Sequence, residues 1–278
     1  MDAVRARYPE HFTRWSRQRL STIGIAAALF ALLLFGMGEL GFFGGTLLTG
    51  MGRLFEIAAL MVPPDPGSWA HARAYGMALI ETVAIALLGT LAAAVLALPI
   101  GLLAARNVTA QRIVRFFARR SLDTIRSVDI LIWALIWINV VGLGPFAGAL
   151  AIMTSDIGSF GKLFSEAIEA ADRKPGEGIA STGGSHLMGI RFGILPEVFP
   201  VLASQVLYYF ESNTRSATII GIVGAGGIGL HLAEAIRTLE LQQTSFIILM
   251  ILVTVAAIDM VSSQLRFAMI GRRAGIGK

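Results

Sequence analysis

An uncharged apolar run constrains this chain before any other feature does. Residues 20–38 contain no Asp, Glu, Lys or Arg, and about 20 such residues are what a helix needs to cross a bilayer. The pattern recurs: residues 77–105 carry Glu81 as their only charge, and residues 241–265 carry only Asp259. Hydrocarbon offers backbone groups no water to bond, so segments of this kind must be helical. A chain that repeats them folds as a membrane bundle, not around a soluble core. With 55% hydrophobic and 15% charged residues the whole sequence fits that class. The absence of cysteine excludes disulfides, thiolate metal sites and thiol nucleophiles. The net charge of +5 is placed at the ends of apolar runs, which speaks for membrane topology and against nucleic acid.

Lys and Arg collect on the cytoplasmic side of membrane proteins. Arg5, Arg7, Arg14, Arg17 and Arg19 make residues 1–19 a cytoplasmic tail and residues 20–38 the first span. That leader is long for a signal peptide, and no Ala-x-Ala site follows. Residues 39–76 then lie outside. Leu47, Met51, Leu54, Phe55, Ala58 and Met61 recur at helical spacing, with Arg53 and Glu56 turned away, which predicts an amphipathic helix on the outer membrane surface. Within a core of residues 77–268, the second span is 77–105, and a basic segment with Arg106, Arg112, Arg115, Arg119 and Arg120 follows inside. The third span runs from Leu122 to the hairpin at Gly142-Leu143-Gly144-Pro145. The fourth returns near Ala167 and is polar (Ser155, Asp156, Ser159), so it should face protein or a water-filled path. The fifth span is 194–210 and the sixth 241–265. Between them, residues 215–231 are rich in glycine, which argues against a full helix. Were they to cross, Arg266, Arg272, Arg273 and Lys278 would lie outside, against the charge rule, so they are expected to form a re-entrant loop. The expected fold is therefore an all-α membrane protein with six transmembrane helices and both termini cytoplasmic, residues 269–278 being the second tail.

Residues 172–193 interrupt these spans with a polar, glycine-punctuated loop. Pro175 suits a first helical turn, and Glu177 sits where the helix dipole favours negative charge. Gly183-Gly184 breaks that helix, and Ser185 can cap the next. Glu177, Gly183, Leu195 and Pro196 have the spacing of the EAA loop of ABC-importer permeases, E-A-A-x3-G-x9-I-x-L-P, and this stretch resembles it. Gly178 and Ile179 stand for the two alanines, and Gly193 for the isoleucine. Glu169-Ala170-Ala171 spells the triplet, but Pro175 occupies its glycine position. The resemblance implies a helix that docks onto a separate ATP-hydrolysing subunit; an ordinary cytoplasmic loop is the competing reading.

Other motifs carry less. Gly224-Ala225-Gly226-Gly227-Ile228-Gly229 satisfies G-x-G-x-x-G, but that fingerprint requires a soluble βαβ unit, so close backbone packing by Gly224, Gly226, Gly227 and Gly229 is the expected role. Gly161-Lys162 lacks the rest of a phosphate loop, so no ATP site is expected on this chain. Arg126 is spaced three from both Asp123 and Asp129 and can pair with either. Glu211 and Arg215 form an i,i+4 pair with Asn213 between them. Charges inside a membrane mark either substrate paths or self-satisfied ion pairs. Arg126, Asp129, Glu211, Asn213 and Arg215 are the substrate-path candidates. Asp259, His186 and His231 read as polar contacts within the bundle. No constellation suggests a catalytic or metal site.

Residues 81–107 (ETVAIALLGTLAAAVLALPIGLLAARN), 126–152 (RSVDILIWALIWINVVGLGPFAGALAI) and 211–229 (ESNTRSATIIGIVGAGGIG) are similar to the phosphonate ABC-transporter permease family, PhnE. The resemblance implies a type I ABC-importer permease in the bacterial inner membrane. Its expected partners are a second permease copy or a similar permease, an ABC ATPase dimer that carries ATP and Mg, and a periplasmic phosphonate-binding protein. Substrate would cross as ATP hydrolysis drives alternating access. Phosphite, phosphate esters or methionine are alternative cargoes, and a channel or a membrane-embedded enzyme are alternatives of another class.

Overall fold

The computed structural model describes residues 17–42 and 45–274, all helix and connecting turns. Arg5, Arg7, Arg14 and Lys278, invoked for the cytoplasmic tails, lie outside the described residues. The chain divides into two units, residues 1–60 and 61–278. The first holds α1 (Arg17–Glu39) and α2 (Thr46–Leu60). Apolar side chains of α1 from Leu20 to Phe35 are exposed, as a lipid-facing helix requires. The segment expected as the amphipathic helix is α2, on which Met51, Leu54 and Phe55 are exposed.

The second unit is a bundle. Its first helix, α3 (Trp69–Ala104), is 36 residues long and starts eight residues before the expected second span, capped by Ser68, whose hydroxyl accepts from the His71 N–H at 3.2 Å. Two helices follow, α4 (Arg112–Arg126) and α5 (Ile130–Val141), bent from one another by 89°. The single third span expected over 122–142 is thus broken. Local side-chain bonds explain the break: Ser127 Oγ donates to the Thr124 carbonyl at 2.7 Å, and Asp129 Oδ1 accepts from the Leu131 N–H at 2.8 Å, starting a new helix. After the hairpin, α6 (Pro145–Ala170) runs back through the centre of the bundle. Four described helices are long and apolar enough to cross a membrane, five if α4 and α5 count as one bent span. The remaining expected span, α6, is 26 residues long, and protein covers much of its length, which is why Asp156 is tolerated there.

The polar loop contains α7 (Lys174–Ser181), the single turn α8 (His186–Met188) and a π-helical segment (Gly189–Ile194) that runs into α9 (Leu195–Ile222). The chain then turns at 223–227 into α10 (Ile228–Arg237) and ends with α11 (Leu241–Ala274). Two expectations are corrected here. The fifth span does not end at Phe210, and residues 215–231, expected as a glycine-rich re-entrant loop, are helical except for a turn at 223–227. Residues 215–222 complete α9, and only 223–227 leave the helix. Tertiary packing overrides the low helix propensity of glycine: a Cβ on Gly229 would lie 2.1 Å from the Thr218 carbonyl oxygen, so the end of α9 and the start of α10 meet backbone to backbone. The turn is also bonded outward. Glu81 Oε1 accepts from the Gly227 N–H at 3.0 Å, Thr82 Oγ1 from the Ile228 N–H at 2.8 Å, and Gly144 N–H donates to the Gly224 carbonyl at 3.0 Å. Side chains of α3 thus satisfy amides at the start of α10 that have no helical partner.

Candidate functional site

Two groups of the candidate residues are brought together. The first is the loop between α6 and α9. Glu197, in the first turn of α9, accepts from the Asp172 N–H at 3.0 Å, and Asp172 Oδ1 accepts from the Lys174 N–H at 3.1 Å. These bonds tie the entry of the loop to its exit. Pro175 and Glu177 occupy the first turn of α7, and both Glu177 and Gly178 are exposed. Ser181 and Thr182 hydroxyls donate to the Gly178 and Ile179 carbonyls at 2.8 and 2.9 Å and close the helix. Gly183 then holds φ +82, while its own N–H and that of Gly184 donate to the Ala180 and Ile179 carbonyls at 3.0 Å. That is the left-handed stop glycine provides at least cost. Ser185 Oγ accepts from the Met188 N–H at 3.4 Å, and Leu195 with Pro196 opens α9.

Gly193 explains one departure from the EAA pattern. A Cβ there would lie 3.1 Å from the Gly176 nitrogen, so α7 and the π-helical segment pack through two glycines. An isoleucine would force them apart. Between α7 and α8 lies a groove of about 600 Å³, lined among others by Asn107, Asp172, Arg173, Glu177, His186 and Ile190. Leu187, Met188 and Phe192 project beside it into the open. His186 is not within the bundle: its Nε2 lies 3.0 Å from the Val108 carbonyl and ties the loop to the α3–α4 connection. Neither Glu197 nor His186 was singled out for this loop, and nothing in local spacing marks them, because both act across the fold.

The second group lies in the bundle. Glu211 and Arg215 pair at 3.4 Å as their spacing predicts, but Glu211 has a second partner, Arg266 of α11, at 3.1 Å. Arg266, expected with the cytoplasmic tail, lies within α11 and also reaches Asp259 at 4.0 Å. The side chains of Glu211, Arg266 and Arg215 are 10, 22 and 50% exposed, so Arg215 is the open member of the trio. Asn213 faces another way: its Nδ2 donates to Thr90 Oγ1 at 2.8 Å and Asp156 Oδ2 at 2.5 Å, a buried bridge between α9, α3 and α6. Arg126 is corrected. No ion pair joins it to Asp123 or Asp129 among the described residues; Asp123 instead lies 3.8 Å from Arg120, and Asp129 caps α5. Arg126 ends α4 with its backbone against Gly158, where a Cβ would lie 2.7 Å from the Arg126 nitrogen. His231 packs edge-on to Tyr75, centroids 5.6 Å apart. Among the described residues no cluster of His, Asp and Glu could hold a metal ion.

The family model described as "Binding-protein-dependent transport system inner membrane component" matches residues 97–273, from the end of α3 through α11. The chain belongs to that family. Among its relatives, it is 34% identical to the phosphite transport system permease protein PtxC of Stutzerimonas stutzeri over 96% of both chains. It is 39% identical to the phosphate-import permease protein PhnE of Mycolicibacterium smegmatis over 68% of this chain and 36% of that one. In fold, it matches a chain of the inward-facing MetNI methionine ABC transporter with a TM-score of 0.63 at 18% identity, covering 73% of this chain and 99% of the other. This inner membrane component is accordingly a multi-pass protein of type I ABC-importer permease architecture. Its family implies ATPase and binding-protein partners in general.

Proposed function

We propose that this chain is the permease subunit of an ATP-driven importer of small phosphorus oxyanions, with phosphonate as the first candidate and phosphite or phosphate close behind. The observation that carries the reading, at the level of small phosphorus oxyanions, is the 34% identity to a phosphite permease over 96% of both chains. The trio at Glu211 supports it. A guanidinium offers a compact oxyanion two donors at once, and Arg215 presents one in the open. The shared carboxylate orients both arginines and keeps the anion from being held too tightly to leave. Two permease copies, or this chain with a similar one, would enclose the path and switch access between the two sides. A periplasmic binding protein would deliver the cargo. A separate ATPase dimer with ATP and Mg would dock at the loop 172–193 through Glu177, Gly178, Ile179 and Gly183, of which Ile179 is half-buried and the others exposed; hydrolysis would be the partner's. Both termini would be cytoplasmic. Reconstituting the chain with its ATPase and binding protein, and measuring uptake of phosphonates, phosphite, phosphate and methionine, tests the reading. Uptake of methionine alone would overturn it.

A further inference from the structure

A cluster of arginines adjoins the first group and shares Asn107 and Arg173 with its groove. Arg106, Arg112, Arg115, Phe116 and Arg119 line a groove of about 260 Å³ where α3 gives way to α4. A second of about 270 Å³, lined by Arg106, Asn107, Glu169 and Arg173, shares Arg106 with it. Of these five arginines, only Arg119 has a carboxylate partner among the described residues, Glu169. That carboxylate also accepts the Arg106 backbone N–H at 2.6 Å, and Arg119 Nε donates to the Ala104 carbonyl at 2.9 Å. Among the described residues Arg115 reaches only the Thr109 carbonyl, at 3.4 Å. Among the described residues Arg106, Arg112, Arg115 and Arg173 line the two grooves without an ion-pair partner, and Glu169, the carboxylate lining the second groove, is paired with Arg119.

The wall next to this charge is apolar. Ile113, Phe116 and Phe117 are exposed on α4. The two phenyl rings meet edge to face at 5.7 Å, and the Arg120 guanidinium sits 5.7 Å over the Phe116 ring. An occupant that satisfies both parts needs oxygen-borne negative charge for the guanidinium forks and hydrocarbon for the phenylalanines. A free phosphate meets only the first need. A phospholipid with net negative charge meets both, and its headgroup lies at the depth where α3 leaves the membrane.

We propose that the α4 arginine groove holds the headgroup of an anionic phospholipid, with its acyl chains along Ile113, Phe116 and Phe117. The test is native mass spectrometry of the permease–ATPase complex released from mixed phosphatidylglycerol and phosphatidylcholine. Wild type should retain phosphatidylglycerol in preference, and R112Q/R115Q should retain roughly tenfold less or lower still. R237Q, at the exposed end of α10 and outside both grooves, should retain it as wild type does. Equal retention of the two lipids by wild type, or undiminished retention by R112Q/R115Q, overturns the proposal. So does a phosphorus NMR signal of inorganic phosphate that broadens with wild type but not with R112Q/R115Q, in a complex that retains no lipid. Should R112Q/R115Q fail to assemble, F117S leaves every arginine in place. It should lower retention of long-chain but not short-chain phosphatidylglycerol, and unchanged long-chain retention overturns the proposal.

Discussion

Arg266 of α11 donates to Glu211 of α9 at 3.1 Å, from a position 55 residues further along the chain. The same carboxylate accepts from Arg215, one turn ahead of it, at 3.4 Å. Two arginines thus share one carboxylate, and their exposures separate their roles. Arg215→Gln should lower phosphorus-oxyanion uptake about tenfold or more while complex assembly and basal ATP hydrolysis persist. Arg266→Gln should instead weaken the protein by about 1–3 kcal/mol, because it strands part of a mostly covered carboxylate. Uptake assays and thermal melting of the purified complex separate the two. A complex that melts early with Arg215→Gln and is unaffected by Arg266→Gln would reverse the assignment.

Glu177→Lys places a positive charge at the start of α7, where the helix dipole disfavours it. Gly183→Val puts a β-branched residue at φ +82, a conformation it resists. Both variants should insert into the membrane normally and bind the ATPase less well, read by co-purification. Full ATPase retention together with wild-type uptake would remove this loop from coupling.

Restoring the isoleucine of the EAA pattern should do harm. Gly193→Ile has to displace the Gly176 backbone, which a Cβ would approach to 3.1 Å. The expected result is a drop in transport-coupled ATP hydrolysis with membrane insertion intact. Gly193→Ala should show a smaller drop. Normal coupling in Gly193→Ile would mean that α7 shifts without consequence.

The topology is checked by single cysteines in this naturally cysteine-free chain. A cysteine at Ser68, before α3, should react with an impermeant thiol reagent added outside whole spheroplasts. One at Thr182, in the polar loop, should react only after the membrane is opened. Labelling of both from outside would refute cytoplasmic placement of the loop.

What the sequence revealed and what it hid divide along a physical line. The long apolar runs, the order of helix, stop and cap around Gly183, and the Glu211–Arg215 pair are all set by neighbours within one or two turns. The break at Ser127–Asp129 was also local, but two competing charges nearby suggested an ion pair where Asp129 in fact caps a helix. Glycine content misled at 215–222, since the propensity cost is offset by the close contact of Gly221 with Gly229 across the turn at 223–227, which residue propensities do not weigh. Arg266, Glu197 and His186 acquire their partners only when distant segments meet.

Between the polar loop and the turn at 223–227, α9 is one helix of 28 residues. At about 1.5 Å per residue it is a rod of roughly 42 Å. Its base is gripped by the bond from Asp172 to Glu197, and its far end abuts a turn bonded to Glu81 and, through Gly224, to Gly144. A tilt of about 5° at the base displaces the far end by roughly 4 Å over a rod of that length. The chain thus contains a lever with one arm at the polar loop and the other among the glycines of the opposite face. A small push at the base would be felt there without any intermediate element having to refold.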